Sequence, residues 1–210
     1  MKKHFWKIEY SITLFVLIGF LMLLIPLKFE NYLQAMMITQ WKDSYKKITY
    51  TFNVINTQKN DEIIKSFSKN HLEQRERMLK YLIKPYLRLH SMERIPWRYK
   101  PKYLNGTRVG KKDDFYFDEL YFNERTIVGI KDILNNKEND AWFMMMVDIN
   151  GLLPPNRWGK DIYGVYIYDE GKVVPFGYDK SMDKLQSECS KNSKGLTCSY
   201  YYLIGGEFND

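Results

Sequence analysis

One uncharged run near the N-terminus dominates the hydrophobic pattern of the chain. It extends over residues 10–27, eighteen residues without a charge, and Lys28 and Glu30 close it. A helix of roughly 18–20 apolar residues spans the hydrocarbon core of a bilayer, so the run predicts a membrane-spanning helix. Because three lysines precede the run, we expect the N-terminus in the cytoplasm and the rest of the chain outside.

The helical pattern continues beyond this run, but with a single apolar face. Apolar residues recur at intervals of four, three, four and three residues, at Trp41, Tyr45, Ile48, Phe52 and Ile55. This spacing predicts an amphipathic helix whose apolar face packs on the sheet of the same domain. We therefore divide the first helix into a membrane half over residues 5–28 and an amphipathic half over residues 29–56.

The remainder of the chain, residues 57–210, has the pattern of an α+β domain. Apolar residues at helical spacing predict a second helix over residues 61–89, and the pattern over residues 115–177 changes to that of short strands. The run AWFMMMVDI at residues 141–149 predicts a buried central strand. About three to five antiparallel strands after two helices indicate an α+β head.

Composition supports a folded domain and narrows its function. The 210 residues include 17 Tyr, 12 Phe and 5 Trp, an aromatic content that argues against intrinsic disorder. The formal net charge is +7, with Lys and Arg interleaved among Asp and Glu, so no basic stripe for nucleic acid is evident. The sequence has no nucleophile elbow, P-loop, HExxH motif or glycine-rich dinucleotide turn, and we therefore expect no enzymatic activity.

Two cysteines, Cys189 and Cys198, lie close together in the segment CSKNSKGLTC. The eight residues between them include turn formers, so a loop can bring the two thiols together. In a non-cytosolic compartment this pattern favours a disulfide over free thiols. A zinc site would need two further ligands, and this region contains no His.

Three oxygen-bearing side chains surround a loop between two predicted strands. Asp148 and Asn150 have the D-x-N-G spacing found in calcium-binding loops, and Asp161 follows at the end of the loop. A complete EF-hand pattern is absent, and Asx side chains also bond to their own backbone in turns. The residues leave two interpretations open, a structural Asx turn and a calcium site.

The N-terminal segment FWKIEYSITL resembles that of type IV pilins and type II secretion pseudopilins. In that family an aromatic residue begins the mature chain and a Glu follows four residues later, as Phe5 and Glu9 do here. Pro26 lies at the family's distance beyond this Glu, and MKKH forms a short positive leader. The resemblance implies cleavage between His4 and Phe5, followed by pairing of Glu9 with the freed amine of a neighbouring subunit.

A second resemblance begins at Asp148. The stretch D-I-N-G-x-x-P-P-N-x-W-G-K-D-I-Y is similar to a motif of bacterial prepilin-like proteins, in which a hairpin ending in P-x-G and a late Cys pair follow. Here Pro175 and Gly177 supply the P-x-G, and Cys189 and Cys198 follow it. The two resemblances occur in the same order as in that family.

Together the resemblances imply an α+β, pilin-like fold, with a long N-terminal helix, membrane half plus amphipathic half, packed on a small antiparallel β-sheet. They imply a minor or atypical, N-methylated subunit of a type IV filament or a type II secretion pseudopilus. Its partners would be other such subunits and the inner-membrane assembly machinery, and not nucleic acid. Its location would be the bacterial inner membrane, with a periplasmic or extracellular head.

The end of the leader leaves a second function open. The leader ends in His4, where the family usually has Gly, so the chain could also keep its N-terminus. In that case the protein would be a non-polymerising, membrane-tethered extracytoplasmic binding module with the same fold. Apart from the calcium interpretation, we expect no cofactor.

Overall fold

The computed structural model describes residues 2–58, 81, 83–91, 99–123, 125–133, 141, 143–168 and 171–207. Within the first helix, side chains are described at residues 9–21 and from residue 32 onward. The chain divides into two compact units, Met1–Met36 and Met37–Asp210. Most of the predicted helix over residues 61–89 lies outside the described residues.

Four helices and six strands occur in the described residues. The helices are α1 (Lys2–Gln58), α2 (Lys84–Leu87), α3 (Met182–Glu188) and α4 (Cys198–Tyr201). The strands are β1 (His90–Ser91), β2 (Glu119–Asn123), β3 (Thr126–Asp132), β4 (Phe143–Asp148), β5 (Ile162–Ile167) and β6 (Val173–Pro175). The strands form one antiparallel sheet in the order β1 to β6, so each strand pairs with the next along the chain.

The predicted membrane span is wrong. In the part of the chain that the structure describes, every helix is too short or too polar to cross a membrane. The apolar stretch of α1 with described side chains, residues 10–21, extends about 18 Å, against about 30 Å for the hydrocarbon core. The expected membrane half over residues 5–28 and the expected single-pass inner-membrane location with an exported head are therefore contradicted.

The fold is α+β with an antiparallel sheet, but the predicted pilin-like arrangement of one long helix packed on that sheet is wrong. Among the described residues of α1, those that contribute to the core lie from Met37 onward, in the second unit. The physical reason is the change of pattern along the helix. Residues 10–21 are apolar on all sides and exposed, whereas the later residues have one apolar stripe, which is the pattern that packs on a sheet.

Strand β4 lies inside the sheet and is buried on both faces. All six of its residues, FMMMVD, are buried, which confirms the predicted central strand. Because side chains alternate along a strand, Met145 and Val147 join the core beneath the stripe of α1, whereas Met144 and Met146 join a second core on the opposite face. The second core is rich in aromatic side chains, which include Tyr99, Tyr103, Phe117, Trp158 and Phe176.

The predicted apolar stripe of α1 is confirmed, and Trp41 is its anchor. Four of the five stripe residues are buried and Tyr45 is partly buried. The ring of Trp41 is 0% exposed and stacks on Tyr163 of β5, with ring centroids 4.8 Å apart and an angle of 14° between the planes. Its Nε1 donates a 2.8 Å hydrogen bond to the carbonyl oxygen of Ser199. One side chain therefore joins α1 to both β5 and α4.

The disulfide predicted from the sequence is confirmed. Cys189 and Cys198 are bonded to each other, and both are fully buried in the core that contains Trp41. The bond joins the residue after α3 to the first residue of α4. Helix α4 also bonds to the sheet, because the Gly164 N–H donates to the Ser199 hydroxyl at 2.9 Å. The disulfide thus links the two C-terminal helices to each other, and the Ser199 hydrogen bond attaches α4 to the sheet.

Truncation of the Trp41 side chain should test the attachment of the helix. We expect Trp41→Ala to lower the free energy of unfolding by about 3–5 kcal/mol, because it removes a buried ring and leaves a cavity. Tyr50→Ala is the matched control, since Tyr50 lies on the same helix but is 70% exposed; it should change the free energy by less than about 0.5 kcal/mol. Urea unfolding followed by near-ultraviolet circular dichroism measures both values, and equal effects would contradict the packing.

Candidate functional site

Two carboxylates come together where strands β4 and β5 meet the loop between them. Asp148 ends β4, Asp161 immediately precedes β5, and Asp148 stands opposite Ile162 in the sheet. The Ile149 N–H donates to the backbone carbonyl of Asp161 at 2.9 Å, which closes the base of the loop. Both Asp side chains are 0% exposed. Strand pairing therefore places two acidic groups side by side in the interior.

The carboxylate of Asp161 organises the end of the loop. Its Oδ2 accepts a 2.7 Å hydrogen bond from the Asn156 N–H, and its Oδ1 accepts a 2.5 Å bond from the Arg157 N–H. Both bonds join the carboxylate to backbone N–H groups of its own loop, which supports the structural interpretation, but they run four and five residues back along the chain and are not those of an Asx turn. Burial raises the pKa of Asp161 to about 6, and these N–H groups together with the Asn150 side chain act in the opposite direction.

Asp148 is less well satisfied than Asp161. Its Oδ2 accepts a 3.1 Å hydrogen bond from the Tyr99 hydroxyl. It also accepts a 3.1 Å bond from the Asn156 side-chain amide when that amide is assigned the orientation that satisfies its neighbours. Its Oδ1 is buried and has no hydrogen-bond partner of normal geometry among the described residues. Burial and then the nearby Asp161 carboxylate raise the pKa of Asp148 well above its usual value, although Tyr99 and backbone N–H groups lower it.

Asn150 completes the set of residues predicted to hold a cation. Its Nδ2 donates to the Pro154 carbonyl at 3.3 Å, whereas its Oδ1 is buried and lacks a hydrogen-bond partner in the described part of the chain. The structure thus brings Asp148, Asn150 and Asp161 together. No group of three or more His, Cys, Asp or Glu side chains meets within the described residues, so a cation here would need amide or backbone oxygens as well.

Two members of the cluster were not predicted from the sequence. Asn156 bonds to both carboxylates, through its backbone N–H to Asp161 and through its side chain to Asp148. Its place inside the D-I-N-G…P-P-N motif was the available signal. Tyr99 lies 49 residues before Asp148 in the chain, and no local sequence pattern indicates that the two side chains are in contact. Burial raises the pKa of Tyr99 well above its usual value, so its hydroxyl remains a donor at neutral pH.

The loop needs glycine at position 151. Gly151 has a φ of +67°, in the left-handed region that favours glycine. A Cβ atom at this position would lie 2.6 Å from the backbone oxygen of Arg125, closer than atoms can approach. The glycine of the D-x-N-G motif therefore allows the loop to pass close to the turn between β2 and β3.

The predicted processing and assembly residues lie on α1, in the first unit. Glu9 is exposed, and its backbone carbonyl accepts a 2.8 Å hydrogen bond from the Thr13 hydroxyl. The helix continues through His4, Phe5 and Pro26, whose side chains lie outside the described set. Cleavage between His4 and Phe5, and the assembly roles of Glu9 and Pro26, stay predictions.

Comparison with known proteins identified no relative of this chain. No family model matches the chain, and neither a curated protein nor a solved structure matches it. The expected place in a pilus or a type II secretion system therefore has no support outside the sequence motifs themselves. What the site can do has to be argued from its own geometry.

The buried carboxyl pair should make stability depend on pH. In a buffer that contains a chelator, we expect the free energy of unfolding to fall as pH rises from about 4 to above 6. The reason is that the folded chain still holds protons on these carboxyls at pH values where the unfolded chain has released them, near pH 4. The ionisable groups that interact here are Tyr99, Asp148, Asp161 and Tyr163, and both tyrosines stay protonated over this pH range because burial raises the pKa of each. Asp148→Asn should make the fall shallower.

Urea unfolding at a series of pH values measures this slope. Asp118→Asn is the control, because Asp118 is an exposed acid elsewhere in the second unit. It should keep the slope of the unmodified chain. A slope that Asp148→Asn leaves unchanged would show that the pair does not bind the extra protons.

Proposed function

We propose that the protein is an assembly subunit, which associates with further copies of itself through the first part of α1 and carries the α+β unit as its folded head. The proposal rests on one observation. Every residue from 9 to 21 is exposed, and these residues belong to one continuous helix. Nine of them are large and apolar: Tyr10, Ile12, Leu14, Phe15, Val16, Leu17, Ile18, Phe20 and Leu21. Exposed apolar surface of this extent is typical of an interaction site.

The distribution of these side chains supports a bundle of several helices rather than a pair. Successive helical residues are separated by about 100°, so the consecutive apolar residues 14–18 point in all directions around the axis. One partner helix covers only a stripe, whereas a helix that is apolar on all sides is stable when it is surrounded. Several copies can provide that cover with the same segment.

Two residues favour helices of further copies as the partners. Apart from the helix's own backbone, no atom of the described residues lies within 4 Å of where a Cβ would stand on Gly19, so the backbone of a second helix can approach closely there. Glu9 places one carboxylate at the edge of the apolar segment. In a bundle it would pair with a cationic group of a neighbouring helix, such as an N-terminal amine, and a polar pair within an apolar bundle selects one register.

Charge placed on the apolar segment should abolish the association. We expect the full chain to sediment as a species larger than a dimer, and the double variant Phe15→Lys with Phe20→Lys to sediment as a monomer, because buried lysines would lack partners. The matched control is Tyr32→Lys with Tyr50→Lys, which changes two aromatics exposed at 66% and 70% on the same helix. This control should assemble like the unmodified chain.

Near-ultraviolet circular dichroism and the mass of the intact disulfide check that the head is folded in each variant. A monomeric unmodified chain at micromolar concentration would overturn the proposal. So would equal assembly of the two double variants. Binding of single copies to vesicles of phosphatidylcholine and phosphatidylglycerol, without self-association, would also overturn it.

Removal of the Glu9 carboxylate tests the register. We expect Glu9→Ala to raise the concentration needed for assembly by about tenfold, equivalent to the loss of one favourable charge pair of about 1.4 kcal/mol. Asp43→Ala removes an exposed acid further along the same helix and serves as the control. Sedimentation velocity over a dilution series measures both. Identical dilution curves for Glu9→Ala and the unmodified chain would leave Glu9 without a role in register.

A further inference from the structure

The carboxylates of Asp148 and Asp161 share an interior that supplies only neutral hydrogen-bond donors among the groups described around them. These donors are the Tyr99 hydroxyl, the Asn156 amide and backbone N–H groups. Neutral donors stabilise a buried carboxylate, but they leave its charge in place, and two like charges in one low-dielectric region repel each other. The pair therefore requires a positive charge or a proton.

We infer that Asp148, Asn150 and Asp161 bind a calcium-class cation, that is, a hard divalent ion with oxygen ligands. The inference rests on two oxygen atoms, Oδ1 of Asp148 and Oδ1 of Asn150. Both are buried acceptors without a hydrogen-bond donor at normal geometry in the described part of the chain, although the Asn150 and Gly151 N–H groups lie near the Asp148 carboxylate, which is 0% exposed. Buried polar atoms are nearly always paired in folded proteins, so two unpaired acceptors beside a second carboxylate are the arrangement that a cation satisfies.

The chemistry of the cluster selects the class of ion. Its side-chain donors to a cation are carboxylate and amide oxygens, which suit calcium or magnesium, whereas zinc prefers nitrogen and sulfur. Both cysteines are occupied in the disulfide. Calcium accepts six to eight oxygens in irregular geometry, including backbone carbonyls and Asn oxygens, whereas magnesium requires a near-octahedral set. An irregular loop with one neutral Asn ligand therefore favours calcium.

The cation would fix the loop to the rest of the second core. The Asn156 carbonyl accepts a 2.9 Å bond from the Lys102 N–H, and the Trp158 N–H donates to the Lys102 carbonyl at 2.9 Å. Tyr99 of the same segment bonds to Asp148. A cation held by Asp148 and Asp161 would thus stabilise the loop and the segment around Lys102 together. This inference is independent of the assembly proposal.

Calcium titration of the full chain after dialysis against a chelator tests the inference. Calcium should raise the melting temperature of the unmodified chain in a saturable way, because a ligand that binds only the folded state stabilises it by mass action. Magnesium at the same concentration should have a smaller effect. Asp148→Asn should abolish the calcium-dependent shift, whereas Asp118→Asn, at an exposed acid, should keep it.

The metal-free stability of Asp148→Asn separates a cation site from a merely structural role. Because the variant removes a buried negative charge and keeps the shape, its metal-free form should be at least as stable as that of the unmodified chain. Asn150→Ala provides a second variant at a half-buried position, and it should weaken calcium binding by about tenfold or more while the metal-free fold is kept.

Two outcomes would overturn the inference. In the first, calcium does not raise the melting temperature of the unmodified chain, and the pair binds a proton instead. In the second, the calcium-dependent shift survives in both Asp148→Asn and Asn150→Ala, which would assign it to exposed acids. Terbium luminescence sensitised by nearby aromatic residues gives an independent readout, and it should disappear with the same variants.

Discussion

The burial of strand β4 on both faces is the constraint on which the rest of the structure depends. A strand covered on both faces needs two layers, and the chain supplies one from the stripe of α1 and the other from aromatic loop residues. Trp41 holds the first layer through its contact with Tyr163. Trp158 and Phe176 stack in the second layer, with ring centroids 5.9 Å apart. Because β4 is enclosed, the residue at its end is enclosed as well.

That enclosure produces the chemistry of the cluster. Asp148 would be solvated at the end of an exposed strand, but here it is buried, and pairing of β4 with β5 brings Asp161 beside it. The fold satisfies most of their oxygens through Tyr99, Asn156 and the backbone. It leaves Oδ1 of Asp148 and Oδ1 of Asn150 without a donor at normal hydrogen-bond geometry in the described chain. The same tertiary packing therefore stabilises the sheet and buries two carboxylates that require a cation or a proton.

Helix α1 combines two patterns with different consequences. From Met37 onward its apolar residues form one stripe, which the sheet of the same unit covers. Over residues 10–21 the apolar residues occur on all sides and are exposed in the single chain. A one-sided stripe is satisfied by one surface, whereas an all-round apolar helix requires surrounding partners. This difference is the physical basis for our proposal that the first part of α1 is an assembly segment.

The sequence by itself determined the elements whose periodicity is strong and local: the stripe from Trp41 to Ile55, the buried strand β4 and the disulfide of Cys189 with Cys198. It also marked Asp148, Asn150 and Asp161, because their spacing lies within one loop. It did not decide the membrane span, since hydropathy alone does not show what surrounds a helix. Only the tertiary structure decided that Tyr99 and Asn156 join the carboxylates, and which oxygens stay unpaired. Those contacts depend on strand register and on packing between segments far apart in the chain, which no local pattern records.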